Sequence, residues 1–287
     1  MFFITWHIIT RMRHNVLQKY KNVVDKQIWA DEMKVRVLGC SGGINHNVAT
    51  TSFLLDDDIL IDAGTGVGDL SLQEMRRIKH IFVTHSHLDH IASIPLLADT
   101  LFDELTSNPL TVHALPETIQ ALQEHIFNWV IWPDFTVLPD KTSAVLKLAS
   151  MQAGSVIDIS GRRIEIIKVN HSVPGAGFCI KADGKVFAFS GDTSSNENFW
   201  DCLNKHDSLD LLFVESAFAD KDRELAKMAY HYCPALLAED LSRLKHQPRI
   251  FISHLKPGCE LEIIEQCKMA LPDREIQRLK SEDIFEL

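Results

Sequence analysis

The sequence predicts an α/β fold in which two β-sheets lie face to face between two layers of helices. Three observations predict it. Apolar strands and amphipathic helices alternate through both halves of the 287-residue chain, and each half supplies strands for a sheet of its own. Several of these strands end in His, Asp or Asn, as strands do when they hand polar side chains to a shared rim. No linker or low-complexity stretch separates the halves, so residues 33–287 read as one domain.

The first 32 residues stand apart as an N-terminal extension without an assignable role. Met1–Thr10 is apolar, but no basic segment precedes it and it is too short to span a bilayer. From Met33 the chain reads as structured. Lys34–Cys40 alternates as a half-buried strand does, and Ser52–Leu55 with Ile59–Ile61 flank the Asp56-Asp57-Asp58 turn of a hairpin. Those three acids suit a solvated turn and need no cation. Asp62-Ala63-Gly64-Thr65-Gly66 closes the next strand and lacks the Lys-Ser/Thr of a phosphate loop.

Leu70–Ile78 has helical spacing, Ile81–Val83 is an apolar strand, and Ile91–Leu105 reads as one helix. Ile91, Ile94, Leu97, Ala98, Leu101, Phe102 and Leu105 share a face of that helix, and Pro95 sits near its start, where a missing amide costs little. A strand at Leu110–His113 and a helix from Pro116 to Trp129 follow. The aromatic stretch Trp129–Leu138 reads as core, with a pocket lid as the alternative.

The second half repeats this grammar. Val156–Ile159 and Arg163–Val169 flank Ser160-Gly161, and Phe178–Ala182 and Val186–Ser190 flank Asp183-Gly184, a strong hairpin signal. Leu211–Glu215 and Ile250–Ser253 complete the strands. Helices are expected at Phe199–His206, Asp222–Met228, Cys233–Lys245 and Leu261–Met269.

A net charge of −10 argues against a protein whose affinity comes from neutralising a long nucleic-acid backbone. The six cysteines form no C-x-x-C pair, so neither a zinc ribbon nor a dithiol redox motif is expected, and reduced thiols in a cytoplasmic protein fit best.

The chemistry concentrates in Thr84-His85-Ser86-His87-Leu88-Asp89-His90, directly after the strand Ile81–Val83. Alternate residues of an extended segment share a face, so His85 and His87 point together, and the following turn brings Asp89 and His90 to a neighbouring point. No packing demand calls for three imidazoles and a carboxylate here; two metal positions from one loop meet the geometry. Later strands end in Asn170-His171, Gly191-Asp192 and Ser253-His254, raising the candidate ligands to seven. Imidazole and carboxylate donors suit zinc, with iron and manganese compatible.

The run His85, His87, Asp89, His90 with His171, Asp192 and His254 resembles the metallo-β-lactamase-fold hydrolases across roughly residues 33–287. That resemblance implies a four-layer αββα sandwich with a binuclear centre at one edge. One ion would be held by His85, His87 and His171, the other by Asp89, His90 and His254, with Asp192 bridging. The segment His85–Ile94 is also similar to the signature of class II cyclic-nucleotide phosphodiesterases, as are Leu38–Gly43, Thr51–Leu55, Asn170–Pro174 and His254–Gly258. Pro95, where an aliphatic residue is preferred, and Asp99, where a Ser is expected, depart from it.

The resemblance implies hydrolysis of 3′,5′-cyclic nucleotides to nucleoside 5′-monophosphates, with Asp89 in the catalytic centre. Val214–Phe218 and Tyr230–Pro234 resemble loops that bring a Glu and a His beside the metals, which makes His231 and Glu215 the candidates for delivering a proton to the leaving oxygen. Lys256 is a candidate phosphate contact. The partner is then a small cyclic nucleotide; a homodimer is compatible with the sequence. Two alternatives stay open: a tRNA 3′-processing endonuclease of the same fold, for which no extended basic arm stands out, and a non-hydrolytic di-metal redox or sensor protein. His7, His14, His46, His80, His113, His125, His206 and His246 read as structural or solvated, with His46 closest to the expected pocket.

Overall fold

The computed structural model describes residues 32–287, so the expected N-terminal extension lies outside the described residues but for Glu32. The strands are β1 (Lys34–Gly39), β2 (Ser52–Leu55), β3 (Ile59–Ile61), β4 (His80–Phe82), β5 (Leu110–Ala114), β6 (Leu146–Ser150), β7 (Val156–Ile159), β8 (Arg162–Val169), β9 (Gly175–Ala182), β10 (Lys185–Phe189), β11 (Leu211–Glu215), β12 (Arg249–Ser253), β13 (Ile276–Arg278) and β14 (Ile284–Glu286). They form two seven-stranded sheets, ordered β14-β1-β2-β3-β4-β5-β6 and β13-β12-β11-β10-β9-β8-β7. This is the αββα sandwich that the strand-rich halves predict.

The layers follow from burial. Phe53, Phe82, Phe178, Phe187, Phe189 and Phe213 fill the space between the two sheets. Phe53 meets Phe189 edge-on at 4.9 Å and Phe213 at 5.2 Å, an arrangement aromatic quadrupoles favour. The outer face of the first sheet packs under Ile94, Leu97, Ala98 and Leu101, and that of the second under Trp200, Leu237 and Ile263. Central strands buried on both faces read as continuous apolar runs, such as Leu211–Val214.

Strand direction sets the active edge. β3, β4, β5 and β6 run parallel, as do β10, β11, β12 and β13, so their carboxyl ends open on one rim in each sheet. Ligands of α/β sheets gather at such ends.

The hairpin Ser52–Leu55 to Ile59–Ile61 matches its expected boundaries, whereas β8, β9 and β10 begin one, three and one residues earlier than expected. Asp183 at φ +48° and Gly184 at φ +81° take the paired left-handed conformations of a tight two-residue turn. The triple-Asp turn is not simply solvated: the Arg162 guanidinium binds Asp56 and Asp58, fastening a turn of the first sheet to β8 of the second.

Other expectations are corrected. Ile91–Leu105 forms three pieces, Leu88–Ile91, Ser93–Thr100 and Phe102–Leu105. Pro95 has no amide for the Ile91 carbonyl, and Ser93 N–H turns away to the Ala63 carbonyl at 2.9 Å. The helix from Pro116 ends at Ala121 and passes into a wider turn at Leu122–Ile126. In the aromatic stretch Phe135 is core, whereas Trp129, Val130 and Ile131 are exposed. The strands β6, β13 and β14 were not expected. Among the described residues no helix is long and apolar enough to cross a membrane.

Candidate metal centre

Thr84 leaves β4 at the rim, and His85, His87, Asp89 and His90 follow in an extended stretch that turns into the short helix Leu88–Ile91. His171 comes from the end of β8, Asp192 from the end of β10 and His254 from the end of β12. The fold brings all seven together. Donor atoms of His85, His87 and His171 form one group, those of Asp89, His90, Asp192 and His254 another, each with its atoms within 4.8 Å of one another.

Asp192 faces both groups. Its Oδ2 lies 3.3 Å from His90 Nε2 and 3.7 Å from His85 Nε2, and its Oδ1 lies 3.2 Å from His254 Nδ1. These three ring nitrogens are buried and no hydrogen bond reaches them, although a carboxylate stands close by. Buried polar atoms without partners are costly. Atoms of this kind, converging from different strands, are what a cation would satisfy, so the donor set fits divalent metal ions.

Protonation agrees. Burial holds the His85 imidazole well below its ordinary range and brings His171 to about 4 and His254 to about 3, leaving lone pairs free at neutral pH. Burial works against the Asp192 carboxylate, but the imidazoles facing it outweigh burial and hold its pKa well below the ordinary range. Metal ligation requires neutral imidazole and ionised carboxylate; His90, held against its burial well above its ordinary range by Asp192 and Asp62, is the donor that would release a proton on binding.

Orientation comes from residues behind the donors. Asp62 Oδ2 accepts from His90 Nδ1 at 2.6 Å, and Asp62 Oδ1 accepts from Thr84 N–H at 2.7 Å. Thr84 Oγ1 is 2.9 Å from His85 Nδ1, and the Tyr230 carbonyl is 3.0 Å from His171 Nδ1. Each contact occupies one ring nitrogen and aims the other inward. Asp62 and His254 both adopt left-handed backbone, φ +56° and +57°, which swings their side chains off the strand direction.

Two glycines permit the close packing. A Cβ on Gly64 would lie 2.4 Å from the Asp89 carbonyl oxygen, and one on Gly42 would lie 2.7 Å from that of His254. The glycine-rich turns thus let backbone approach the ligand loops.

The Asp62 role was missed in sequence, where Asp62 read as the end of a strand. The usable signal was position: β3 runs parallel to β4, so an acid just after Ile61 arrives at the edge where Thr84 begins. Asp62→Asn is expected to weaken metal affinity by about 10–100-fold, the usual loss for a residue that orients a ligand. Competition against a chromogenic chelator measures it, and unaltered affinity would remove Asp62 from this role.

Beside the metal groups, His231 Nδ1 is 2.7 Å from Glu215 Oε1, and the imidazole ring stacks 5.1 Å from that of His254. Glu215 is fully buried and accepts from the amides of Thr193, Ala217 and Tyr232. Burial opposes protonation of His231, and the Glu215 carboxylate overrides it and raises the pKa. Burial likewise raises that of Glu215, against the four donors that favour its charged form. All of Glu215's oxygens are engaged, so it positions His231 rather than meeting a substrate. The Lys256 ammonium donates to the Gly42 carbonyl at 2.8 Å, and His46 is exposed.

The fold and this rim of His and Asp donors define a metallohydrolase of the metallo-β-lactamase fold. The chain belongs to the β-lactamase superfamily: the family model described as "Beta-lactamase superfamily domain" matches residues 57–271. It is 34% identical over 98 residues to 3′,5′-cyclic-nucleotide phosphodiesterase 1 of Saccharomyces cerevisiae, a stretch covering 33% of this chain and only 26% of the yeast protein. To the 3′,5′-cyclic-nucleotide phosphodiesterase of Aliivibrio fischeri it is 24% identical over 275 residues, 76% of this chain and 80% of that one. To the ribonuclease Z of Bacillus licheniformis it is 23% identical over 305 residues, 84% of this chain and 95% of that one. The crystal structure of unliganded yeast PDE1 has the same fold, with a TM-score of 0.78 at 19% identity over 90% of this chain and 100% of that chain.

Proposed function

We propose that residues 33–287 form a binuclear metal-dependent phosphodiesterase domain that opens 3′,5′-cyclic nucleotides to nucleoside 5′-monophosphates. The observation that carries this reading is the His231–Glu215 pair beside Asp192 and His171, a proton donor set next to two groups of metal donors. His85, His87 and His171 would hold one ion, Asp89, His90 and His254 the other, with Asp192 between them and zinc the expected metal. When bound, the ions supply Lewis acidity that makes water nucleophilic at neutral pH and neutralises phosphodiester charge.

The protein's own groups do the rest. Water attacks phosphorus opposite the ribose 3′ oxygen as one of its protons passes to solvent, from which His231 is afterwards reprotonated; one P–O bond forms and the P–O3′ bond breaks. His231, its Nδ1 held by Glu215, gives the proton on Nε2 to the departing oxygen. Asp89 and Asp192, carboxylates within the donor set, would help position the attacking water, and Lys256 adds positive charge at the rim. Cyclic nucleotide is the partner in this reading, and a cytoplasmic location suits it.

The test is a screen of the metal-replete full chain against cAMP, cGMP and a precursor tRNA. Release of 5′-monophosphate from a cyclic nucleotide is the expected result. The similarity to ribonuclease Z supplies the competing reading, and cleavage of the precursor tRNA alone would establish that reading and overturn this one.

A further inference from the structure

A second cluster of donors lies away from this rim. Glu165 on β8 and Cys179 on β9 are directly opposed cross-strand partners, so their side chains share a face of the sheet. That face carries the helix Glu197–Leu203, with Phe199 and Trp200 packed against Cys179's neighbours. Past the end of this helix, His206 Nε2 stands 3.0 Å from Glu165 Oε2 and 3.4 Å from Cys179 Sγ. The donor atoms of these three residues all lie within 4.8 Å of one another.

As a hydrogen-bond network the cluster leaves Cys179 poorly served. A single imidazole nitrogen faces two groups. If it donates to Glu165, the Cys179 sulfur receives at most a weak share of that N–H; if it accepts the thiol proton, it cannot donate to the carboxylate. Cys179 is 1% exposed, so its thiol has no solvent partner, whereas His206 and Glu165 are partly exposed. A cation would serve all three fully, because thiolate, imidazole and carboxylate then all act as donors to one point. In a tetrahedral zinc site with bonds of about 2.0 Å to N and O and about 2.3 Å to S, neighbouring donors sit about 3.3–3.6 Å apart. The observed 3.0 and 3.4 Å are close to those edges.

A fourth donor is at hand. Cys202 lies on the last turn of the same helix, four residues before His206; its Sγ faces Asn198 Oδ1 at 3.9 Å and would join the set by a side-chain rotation.

We propose that Glu165, Cys179 and His206, with Cys202 completing the set, form a zinc-class metal site that clamps β8 and β9 to the helix Glu197–Leu203. Binding forms the metal–sulfur bonds and releases the thiol protons to solvent, with no change of oxidation state. The helix so clamped follows directly on the loop Asp192–Ser195, so the site anchors the segment behind one of the rim donors.

The rim donors are imidazoles and carboxylates only, so a thiolate-to-cobalt absorption band reports this second site alone. Metal-stripped full-length protein titrated with Co2+ is expected to develop such a band, saturating at one ion per chain. Cys179→Ser should abolish it, His206→Gln should weaken binding more than tenfold, and Cys202→Ser should roughly halve the band by removing one of two thiolates. His206 is partly exposed, so its variant keeps the test open if Cys179→Ser misfolds. Turnover of the metal-replete His206→Gln enzyme should equal that of the unaltered chain. Absence of the band, or a band unaffected by both Cys179→Ser and His206→Gln, would overturn the proposal; a band unaffected by Cys202→Ser would remove Cys202 from the site.

Discussion

Asp192→Ala is expected to reduce turnover by roughly a thousandfold or more and to lower the bound metal from two ions per chain to one or none. The magnitude follows from its position. Asp192 is 3% exposed, and its carboxylate lies within 3.7 Å of ring nitrogens of His85 and His90 from one loop and of His254 from another. Its removal takes away the negative charge that faces both donor groups, so two cations brought near one another there would repel with less compensation. Elemental analysis of the purified variant alongside steady-state kinetics gives the answer; two ions retained per chain would defeat the bridging assignment even if activity fell.

His231→Ala is expected to behave differently, keeping both ions while turnover falls by about 10²–10⁴-fold, the range for loss of a general acid. His231 contributes no ring nitrogen to the two main donor groups, and its Nδ1 is committed to Glu215 at 2.7 Å. What the substitution removes is a proton at Nε2, not a metal ligand. A substrate whose leaving group departs without a proton, such as a nitrophenyl phosphodiester, should lose far less than a cyclic nucleotide. Equal losses on the two substrates would show that His231 shapes the site rather than delivering a proton.

Much of the architecture was legible because its signals are local. The hairpin Ser52–Leu55 to Ile59–Ile61 and the Asp183-Gly184 turn are written in residues a few positions apart, where alternation and turn chemistry act directly. The edge strands β13 and β14, three residues each, carry no such pattern; Ile276–Arg278 and Ile284–Glu286 become strands only because β12 and β1 offer them unpaired edges. The break before Ser93 is of the same kind. Pro95 was visible, but the diversion of Ser93 N–H to Ala63 depends on a loop thirty residues away in sequence.

The seven donors illustrate the division. Their identities, and their places at the ends of apolar strands, are properties of the chain itself: a polar His or Asp after a buried run such as Ile81–Val83 has to emerge at a strand terminus. Their convergence is not. It requires β4, β8, β10 and β12 to open on one rim, which follows from strand order and direction in two sheets. It also requires Asp62, Thr84 and the Tyr230 carbonyl to hold His90, His85 and His171 by their outer nitrogens, and left-handed backbone at Asp62 and His254 to turn side chains inward. The Glu165–Cys179–His206 cluster marks the limit of local reading, since only the pairing of β8 with β9 and the helix laid across them bring its donors to one point. Periodicity reports which residues are buried or exposed; which buried polar atoms meet is decided by long-range packing, because that is where their desolvation must be compensated.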